Sequence, residues 1–258
     1  MRGDLNADRW LTACLVIPAQ QLLKPLRFYV FILHSGWIDR GAIVSDEFVS
    51  NVHWLVKSVT RGLISRRLQT PEIADVLERL AEQNLEASAF RPPRPKALPV
   101  CSMLPDAVGA ALPVASDVAA AIAAVEDDLH WKQNPNYSDE AMGARGYMDG
   151  YAYAEIIGPS GFFPGDDFLL GLLLLAPGQL YREHYHAAPE LYWMLTGPSN
   201  WKRGAGGWEQ VEAGLTRWHK PFVVHATATA SAPLLCLWVW TRNTAEPARL
   251  VEPVRSLA

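Results

Sequence analysis

Residues 178–197 read GQLYREHYHAAPELYWMLTG and contain the most informative pattern in the chain. In a β-strand, residues two apart point to the same face, so His184 and His186 face the same way. Glu190 and Tyr192 share a face on the following stretch for the same reason. The intervening AAP predicts a short bend, which would fold the two stretches into a hairpin with both pairs on one inward face.

A third histidine, His225, falls on a later predicted segment and could approach this hairpin from across a barrel. Imidazole and carboxylate groups are the donors that proteins use for ions such as Fe, Mn and Zn. The phenolate of Tyr192 is a rarer ligand for the same ions. We therefore expect one divalent metal ion (Fe, Zn or Mn), although a single buried histidine or tyrosine is more often a packing residue. His219, which follows Trp218 and precedes Pro221, is interpreted as structural.

The C-terminal half of the chain is a series of short apolar segments separated by glycine and proline. The segments predicted to be strands are 151–157, 168–175, 190–195, 208–212, 222–226 and 234–240. Many short strands with turns between them are typical of an all-β sandwich or barrel.

The N-terminal half has helical patterns. Residues 45–67 carry valines three and four apart, which gives one apolar stripe. A second helix is predicted to begin at Thr70, with Thr70 as its cap and proline at the first helical position. A third helix is predicted over residues 116–129, with Ser116 or Asp117 as its cap.

The predicted domain organisation follows from the change from helical patterns to short strand patterns along the chain. A proline-rich stretch near residues 91–99 cannot form a regular helix and is interpreted as a linker. We expect a helical N-terminal region over residues 1–135 and a β-barrel metal-binding domain over residues 136–258.

Composition excludes several classes of protein. The chain has 258 residues, half of them hydrophobic, and 23 basic against 27 acidic residues give a formal net charge of −4. A slightly acidic chain without a basic run argues against nucleic acid as a partner. Three cysteines that lie far apart form neither a disulfide framework nor a cysteine metal site.

Residues 10–37 are strongly apolar but contain two prolines and several polar residues. These residues argue against a membrane-spanning helix. We expect a buried segment of a cytoplasmic protein that does not contact a membrane, with an exported protein as the alternative.

The spacing of the central stretch resembles the first cupin motif in full, as Gly178-x5-His184-x-His186-x3-Glu190-x6-Gly197. The second cupin motif is matched in part. Gly214 and His225 keep the usual separation and Pro221 is displaced by one position, whereas Val223 and Thr229 replace the usual glycine and asparagine. The resemblance implies a mainly β fold, a cupin barrel (a double-stranded β-helix or jelly roll) with a helical N-terminal region.

A narrower resemblance is to the cupin-type dimethylsulfoniopropionate lyases, and it covers roughly residues 100–243. The residues that carry it are Tyr181-x2-His184-x-His186-x3-Glu190-x-Tyr192, then Trp193, Gly197, Trp201, Gly207-Trp208 and the Trp238-Val239-Trp240 segment. The resemblance implies a carbon–sulfur lyase that cleaves dimethylsulfoniopropionate into dimethyl sulfide and acrylate.

The same resemblance implies roles for individual residues. The metal ligands would be His186, Glu190, Tyr192 and His225. Tyr192 would also be the base, with Tyr181 and His184 close to the substrate.

The substrate would be a small zwitterion with a dimethylsulfonium group at one end and a carboxylate at the other. A cation that offers no hydrogen-bond donor is best held by aromatic faces. Tyr153 and Trp201 are our candidates for this wall. Trp238 and Trp240 share a face of their strand, so both point inward or both point outward.

Two other functions remain open. A cupin dioxygenase or isomerase acting on another small carboxylate would use the same scaffold, because one fold supports many chemistries. A non-catalytic cupin that binds a small molecule is the second alternative. A homodimer is also left open.

Overall fold

Helices occupy the first part of the chain in the computed structural model, which describes residues 45–252. The apolar segment at residues 10–37 lies outside the described residues. The helices are α1 (Asp46–Arg66), α2 (Ile73–Ala81), α3 (Leu104–Val125) and α4 (Asp139–Met142). Short 3₁₀ helices span Ala87–Ala89, Pro99–Met103, Glu126–Asp128 and Met148–Gly150.

The first two helices differ in how well their starts were predicted. Helix α1 begins as expected, because the Ser45 hydroxyl accepts a hydrogen bond from the Phe48 amide at 3.1 Å. Helix α2 begins at Ile73, and the prediction that Thr70 caps it is wrong. The Thr70 hydroxyl is buried and forms a 2.8 Å hydrogen bond with the hydroxyl of Thr216, so it ties the helical layer to a strand instead.

Helix α3 is longer than predicted and is interrupted. It begins at Leu104, contains Pro113, and has a non-helical backbone at Ala115. The predicted helix from residue 116 corresponds to the part after this break. Residues 99–128 are long and apolar enough, by length and composition, to cross a membrane. The buried residues of α3 belong to the core shared with α1 and the sheet, which explains its apolar composition.

Strands form the second part. They are β1 (Trp131–Lys132), β2 (Tyr151–Ile157), β3 (Leu169–Leu175), β4 (Leu180–Tyr185), β5 (Glu190–Met194), β6 (Ser199–Arg203), β7 (Glu209–Val211), β8 (Thr216–His219), β9 (His225–Thr229), β10 (Leu234–Trp240) and β11 (Arg249–Leu250). One sheet has the order β1-β2-β3-β10-β5-β8, and the other has the order β11-β4-β9-β6-β7.

The pairing of eight of these strands is nested. Strand β3 pairs with β10, β4 with β9, β5 with β8, and β6 with β7, always antiparallel. Apart from the β6–β7 hairpin, successive strands of these eight alternate between the two sheets, as in one long hairpin rolled around a common axis. This is the jelly-roll topology of a cupin barrel, and the predicted fold class is confirmed.

Strand bounds agree best where the segments are apolar. The predictions for 151–157 and 234–240 match β2 and β10. The prediction of a strand at 222–226 is wrong, because Phe222 has a positive φ of 60° and the strand begins only at His225. Such a backbone belongs to a turn.

Side chains on the two faces of the six-stranded sheet pack into two different cores. On β2, Ala152 and Ala154 pack into the core that contains the helices, whereas Tyr151 packs into the core inside the barrel. On β5, Trp193 faces the helices and Tyr192 faces inward. All described residues belong to one compact unit. The boundary predicted between residues 135 and 136 stays a prediction.

Candidate active site

Three histidines meet inside the barrel, from β4, the turn that follows it, and β9. His184 lies directly opposite His225 in the β4–β9 pair, and His186 follows two residues after His184. One ring nitrogen from each of the three lies within 4.8 Å of the other two, and all three residues are buried. The two histidines predicted to share one face do meet His225, but the expectation that His225 comes from across the barrel is wrong, because β9 is the neighbour of β4 in the same sheet.

The backbone holds each of these rings by its Nδ1 atom. His184 Nδ1 lies 2.8 Å from the Arg182 carbonyl, His186 Nδ1 lies 2.8 Å from the Ala188 carbonyl, and His225 Nδ1 lies 2.9 Å from the Val223 carbonyl. Because a carbonyl can only accept, this contact assigns the proton to Nδ1 of each ring. The Nε2 lone pairs are thereby left for a ligand, as in histidines that bind metals.

The Glu190 carboxylate closes this group. Its Oε2 lies 3.1 Å from His186 Nε2 and 3.2 Å from His225 Nε2, while Oε1 accepts a 2.8 Å hydrogen bond from Trp240 Nε1. Burial alone raises the pKa of Glu190, but the neighbouring His186 and His225 more than offset it and hold the pKa well below its usual range. The carboxylate is therefore ionised when positive charge lies beside it, whether on these imidazoles or on a bound cation.

The donor set fits a cation. With Nδ1 protonated, the Nε2 atoms of His186 and His225 point lone pairs at a carboxylate oxygen, so acceptors face an acceptor. The Nε2 atom of His225 is buried and has no hydrogen-bond partner among the described residues. A divalent ion among these atoms would satisfy all of them, and imidazole with carboxylate is a usual donor set for such ions.

Tyr192 lies beside this group. Its ring centre is 6.4 Å from that of His225 and 4.8 Å from that of Trp201. Burial and the negative charge of Glu190 raise the pKa of the Tyr192 phenol well above its ordinary value. The phenol is thus neutral unless a cation is bound nearby.

A cavity of about 320 Å³ opens next to Glu190. Six aromatic residues contribute to its walls: Tyr151, Tyr153, Tyr181, Tyr192, Trp238 and Trp240. Tyr153 therefore lies where the sequence analysis expected it. Trp201 is instead packed behind Tyr192, where its Nε1 donates to the Ser199 hydroxyl at 2.8 Å.

His219 was interpreted as structural, yet the structure places it in the site. Its ring stacks on that of His225 at 4.1 Å, and neither of its ring nitrogens has a hydrogen-bond partner among the described residues. Burial, followed by the proximity of His225, lowers the pKa of His219 well below its usual value. His219 lies opposite Glu190 in the β5–β8 pair, and this pairing would have marked it as a site residue. The register of the two strands is known only once they are aligned in the structure.

Comparison with known proteins identifies the family of the chain. A sequence profile described as dimethylsulfoniopropionate lyase matches residues 70–236, which is more than half of the chain. The chain belongs to the dimethylsulfoniopropionate lyase family. The match includes every candidate site residue named above except Trp238 and Trp240.

Curated relatives in the dimethylsulfoniopropionate lyase family are distant. The chain is 28% identical over 127 residues to a protein described as lyase DddL of Cereibacter sphaeroides, a match to 47% of this chain and 49% of that protein. It is 28% identical over 104 residues to lyase DddQ of Ruegeria pomeroyi, a match to 40% of this chain and 51% of that protein. The chain thus spans about half the length of the curated relatives it matches.

Solved structures of dimethylsulfoniopropionate lyases share the fold. DddQ of Ruegeria pomeroyi superimposes with a TM-score of 0.63 at 18% identity, covering 82% of this chain and 100% of the other. A structure from work on the lyases RdDddP and RnDddQII gives a TM-score of 0.63 at 23% identity, covering 79% and 98%. At these identities the likeness establishes the cupin-type fold alone.

Proposed function

We propose that this protein cleaves dimethylsulfoniopropionate by β-elimination to dimethyl sulfide and acrylate, and that it needs one divalent metal ion. The observation that carries the proposal is the convergence of three histidine Nε2 atoms beside Glu190 at an aromatic-lined cavity. Family membership supports the substrate.

The proposed metal ligands are His186, Glu190 and His225, with Tyr192 as a further ligand. His184 supports the same ion, since its Nε2 belongs to the same cluster. A bound divalent cation would neutralise charge on the substrate carboxylate and favour the phenolate form of Tyr192.

The residues of the chain carry the proton transfer. The Tyr192 oxygen takes the proton from the carbon next to the carboxylate, the electron pair of that bond forms the new double bond, and the carbon–sulfur bond breaks. Dimethyl sulfide leaves as a neutral molecule and therefore needs no acid. Tyr181 and His184, whose rings stack at 4.0 Å, lie beside the reacting carbon and orient it.

The aromatic walls hold the other end of the substrate. The ring centres of Tyr153 and Trp238 lie 5.8 Å apart at an interplanar angle of 78°, and those of Trp238 and Trp240 lie 5.8 Å apart at 72°. A sulfonium against these faces gains cation–π attraction without needing a hydrogen bond. Trp201, behind Tyr192, would act on the substrate through that ring.

The test is a measurement of dimethyl sulfide by headspace gas chromatography. Metal-free protein is reconstituted separately with Fe(II), Mn(II) or Zn(II), or left without metal, and then given dimethylsulfoniopropionate. We expect metal-dependent gas release with an equal amount of acrylate. A folded, metal-loaded protein that releases neither product contradicts the proposal, and oxygen uptake with other small carboxylates would then test the dioxygenase alternative.

A further inference from the structure

A group of four tyrosines in ring contact with one another borders the candidate site. The ring centres of Tyr151 and Tyr181 lie 5.4 Å apart, those of Tyr147 and Tyr151 lie 5.4 Å apart, and those of Tyr137 and Tyr181 lie 5.8 Å apart. All four rings are buried. The group is therefore a packed extension of the cavity wall, and its hydroxyl groups lie in surroundings with little water.

The hydroxyls of this group differ in whether they form hydrogen bonds. Those of Tyr137 and Tyr181 form a buried hydrogen bond of 3.1 Å. The Tyr147 hydroxyl, equally buried, has no partner among the described residues. Leaving a buried hydroxyl without a partner costs free energy, so the hydrogen bond between Tyr137 and Tyr181 is informative.

Tyr181 is the member that reaches the site. Its ring lies flat on that of His184, with 4.0 Å between centres and 7° between planes, and it lines the cavity. This stacking fixes the ring but leaves the hydroxyl proton free to rotate about the carbon–oxygen bond. The hydrogen bond with Tyr137 restricts this freedom, and Tyr151 makes a second hydrogen-bonding contact with Tyr181.

Tyr137 is itself held in place from the backbone. Its amide donates to the Asn134 carbonyl at 3.1 Å, and the Asn134 side chain accepts from the Asn136 amide at 2.9 Å. The side-chain amides of Asn134 and Asn136 both donate to the Ala248 carbonyl, at 3.0 Å and 3.3 Å. The loop that carries Tyr137 is thus fastened to the C-terminal segment at the rim of the cavity.

We propose that Tyr137 is a positioning residue for the reaction: it fixes the Tyr181 hydroxyl so that this group meets the substrate in one orientation. The proposal rests on the proposed function, in which Tyr181 contacts the substrate. Tyr137 touches no reacting atom and acts only through Tyr181. Its removal should therefore slow turnover more than it weakens substrate binding.

The test compares two tyrosines of the same group in the metal-loaded protein. We expect Tyr137→Phe to lower kcat about tenfold while KM changes less than twofold. Tyr147→Phe is the matched control, because it removes a buried hydroxyl from the same group without removing a hydrogen bond. It should leave both constants within about twofold. Equal losses in the two variants, or an unchanged kcat in Tyr137→Phe, would overturn the proposal.

A double-mutant cycle tests whether Tyr137 acts through Tyr181. In a Tyr181→Phe background, adding Tyr137→Phe should change kcat less than twofold, because the group it positions is already gone. A further tenfold loss in that background would mean that Tyr137 acts independently, against the proposal.

The same cycle on thermal unfolding separates this proposal from the proposed function. If the wild-type protein releases no dimethyl sulfide, the proposed function fails. The hydrogen bond should still make the Tyr137→Phe and Tyr181→Phe shifts in Tm non-additive, whereas Tyr147→Phe and Tyr181→Phe should add. Additive shifts for the first pair would overturn the coupling itself.

Discussion

At the scale of single residues, the site is defined by which atoms lack a proton. Carbonyls fix the Nδ1 protons of His184, His186 and His225, and the Glu190 carboxylate faces two of the freed Nε2 atoms, so the centre of the barrel collects lone pairs. Tyr192 lies beside these atoms, and burial raises the pKa of its phenol so that the phenol stays protonated. A cation among the lone pairs is therefore what would convert Tyr192 from a neutral wall residue into a base.

Tyr192→Phe tests this role directly. We expect lyase activity to fall at least 100-fold, in the range usual for loss of a general base, because phenylalanine cannot take the proton. Metal content, measured by inductively coupled plasma mass spectrometry, should stay close to that of the wild type, because the three histidines and Glu190 remain. Full activity in this variant would exclude Tyr192 as the base.

The alternation rule accounts for what the sequence could predict of these residues. Spacing by two placed His184 with His186 and Glu190 with Tyr192, and the structure brings all four inside the barrel. His219 and Tyr137 could not be found this way. Tyr137 depends on Tyr181, 44 residues away, and His219 depends on the turn between β8 and β9 that folds it onto His225, so alternation along one strand encodes neither contact.

At the scale of elements, helix α1 packs on the outer face of the barrel through a glycine. A Cβ built on Gly62 would come within 2.2 Å of the Trp193 ring on β5, closer than side chains approach one another. The Arg66 guanidinium lies 4.1 Å from the centre of the same ring. The backbone of α1 and the indole of β5 are therefore in direct contact, one residue away from Tyr192.

Gly62→Ala is expected to destabilise the protein even though alanine favours helix. Overpacking of a filled interface costs about 1–3 kcal/mol, more than the gain in helix propensity of about 1 kcal/mol. Gly109→Ala in α3 is the matched control, because a Cβ there meets nothing within 4 Å, and it should be neutral or stabilising. Thermal or urea unfolding of both variants checks the order, and a Gly62→Ala protein more stable than the wild type would contradict the contact.

Elements were predictable in proportion to their apolar character. Strands β2 and β10 are buried along nearly their whole length, and their bounds matched. The sequence does not predict strands β6 (SNWKR) and β8 (TRWH), because their apolar and polar residues alternate too weakly to be distinguished from turns. The first and last residues of β6 and β8 are set by pairing with β9 and β5, respectively, and this pairing is a tertiary property.

At the scale of the whole molecule, two buried histidines link folding to pH when no metal is bound. Burial lowers the pKa of His184 and His219 in the folded protein, and the nearby His225 acts in the same direction. In the unfolded chain both return to about 6.5. As pH falls through that value the unfolded chain takes up more protons than the folded one, so stability is present above it and is lost below it.

Thermal unfolding of the chelated protein between pH 7.5 and 5.5 measures this dependence. Each of the two imidazoles contributes up to about 1.4 kcal/mol per pH unit, and the fall in stability should flatten once pH drops below their folded pKa values. His219→Phe should reduce the slope by the contribution of one proton, up to about 1.4 kcal/mol per pH unit. A slope equal to that of the wild type in His219→Phe would contradict the burial of a neutral ring.

The sequence alone does not predict the order of the strands in the sheets. Short β-segments with turns between them indicated a barrel, and the motif resemblance specified a jelly roll. Which strand lies beside which is fixed by nested pairs whose members are far apart in the chain, as with β3 and β10. Local propensity carries no information about these distances.

The nested pairing also has a consequence for how the protein is made. Strand β4, which carries His184, has β9 and β11 as its neighbours, and both follow it in the chain. A ribosome delivers the chain from its N-terminus, so His184 and His186 emerge well before His225 and before either neighbour of their strand. A nascent chain cannot assemble the three-histidine group until β9 has left the ribosome, so a metal ion held by all three histidines would be bound late in biosynthesis.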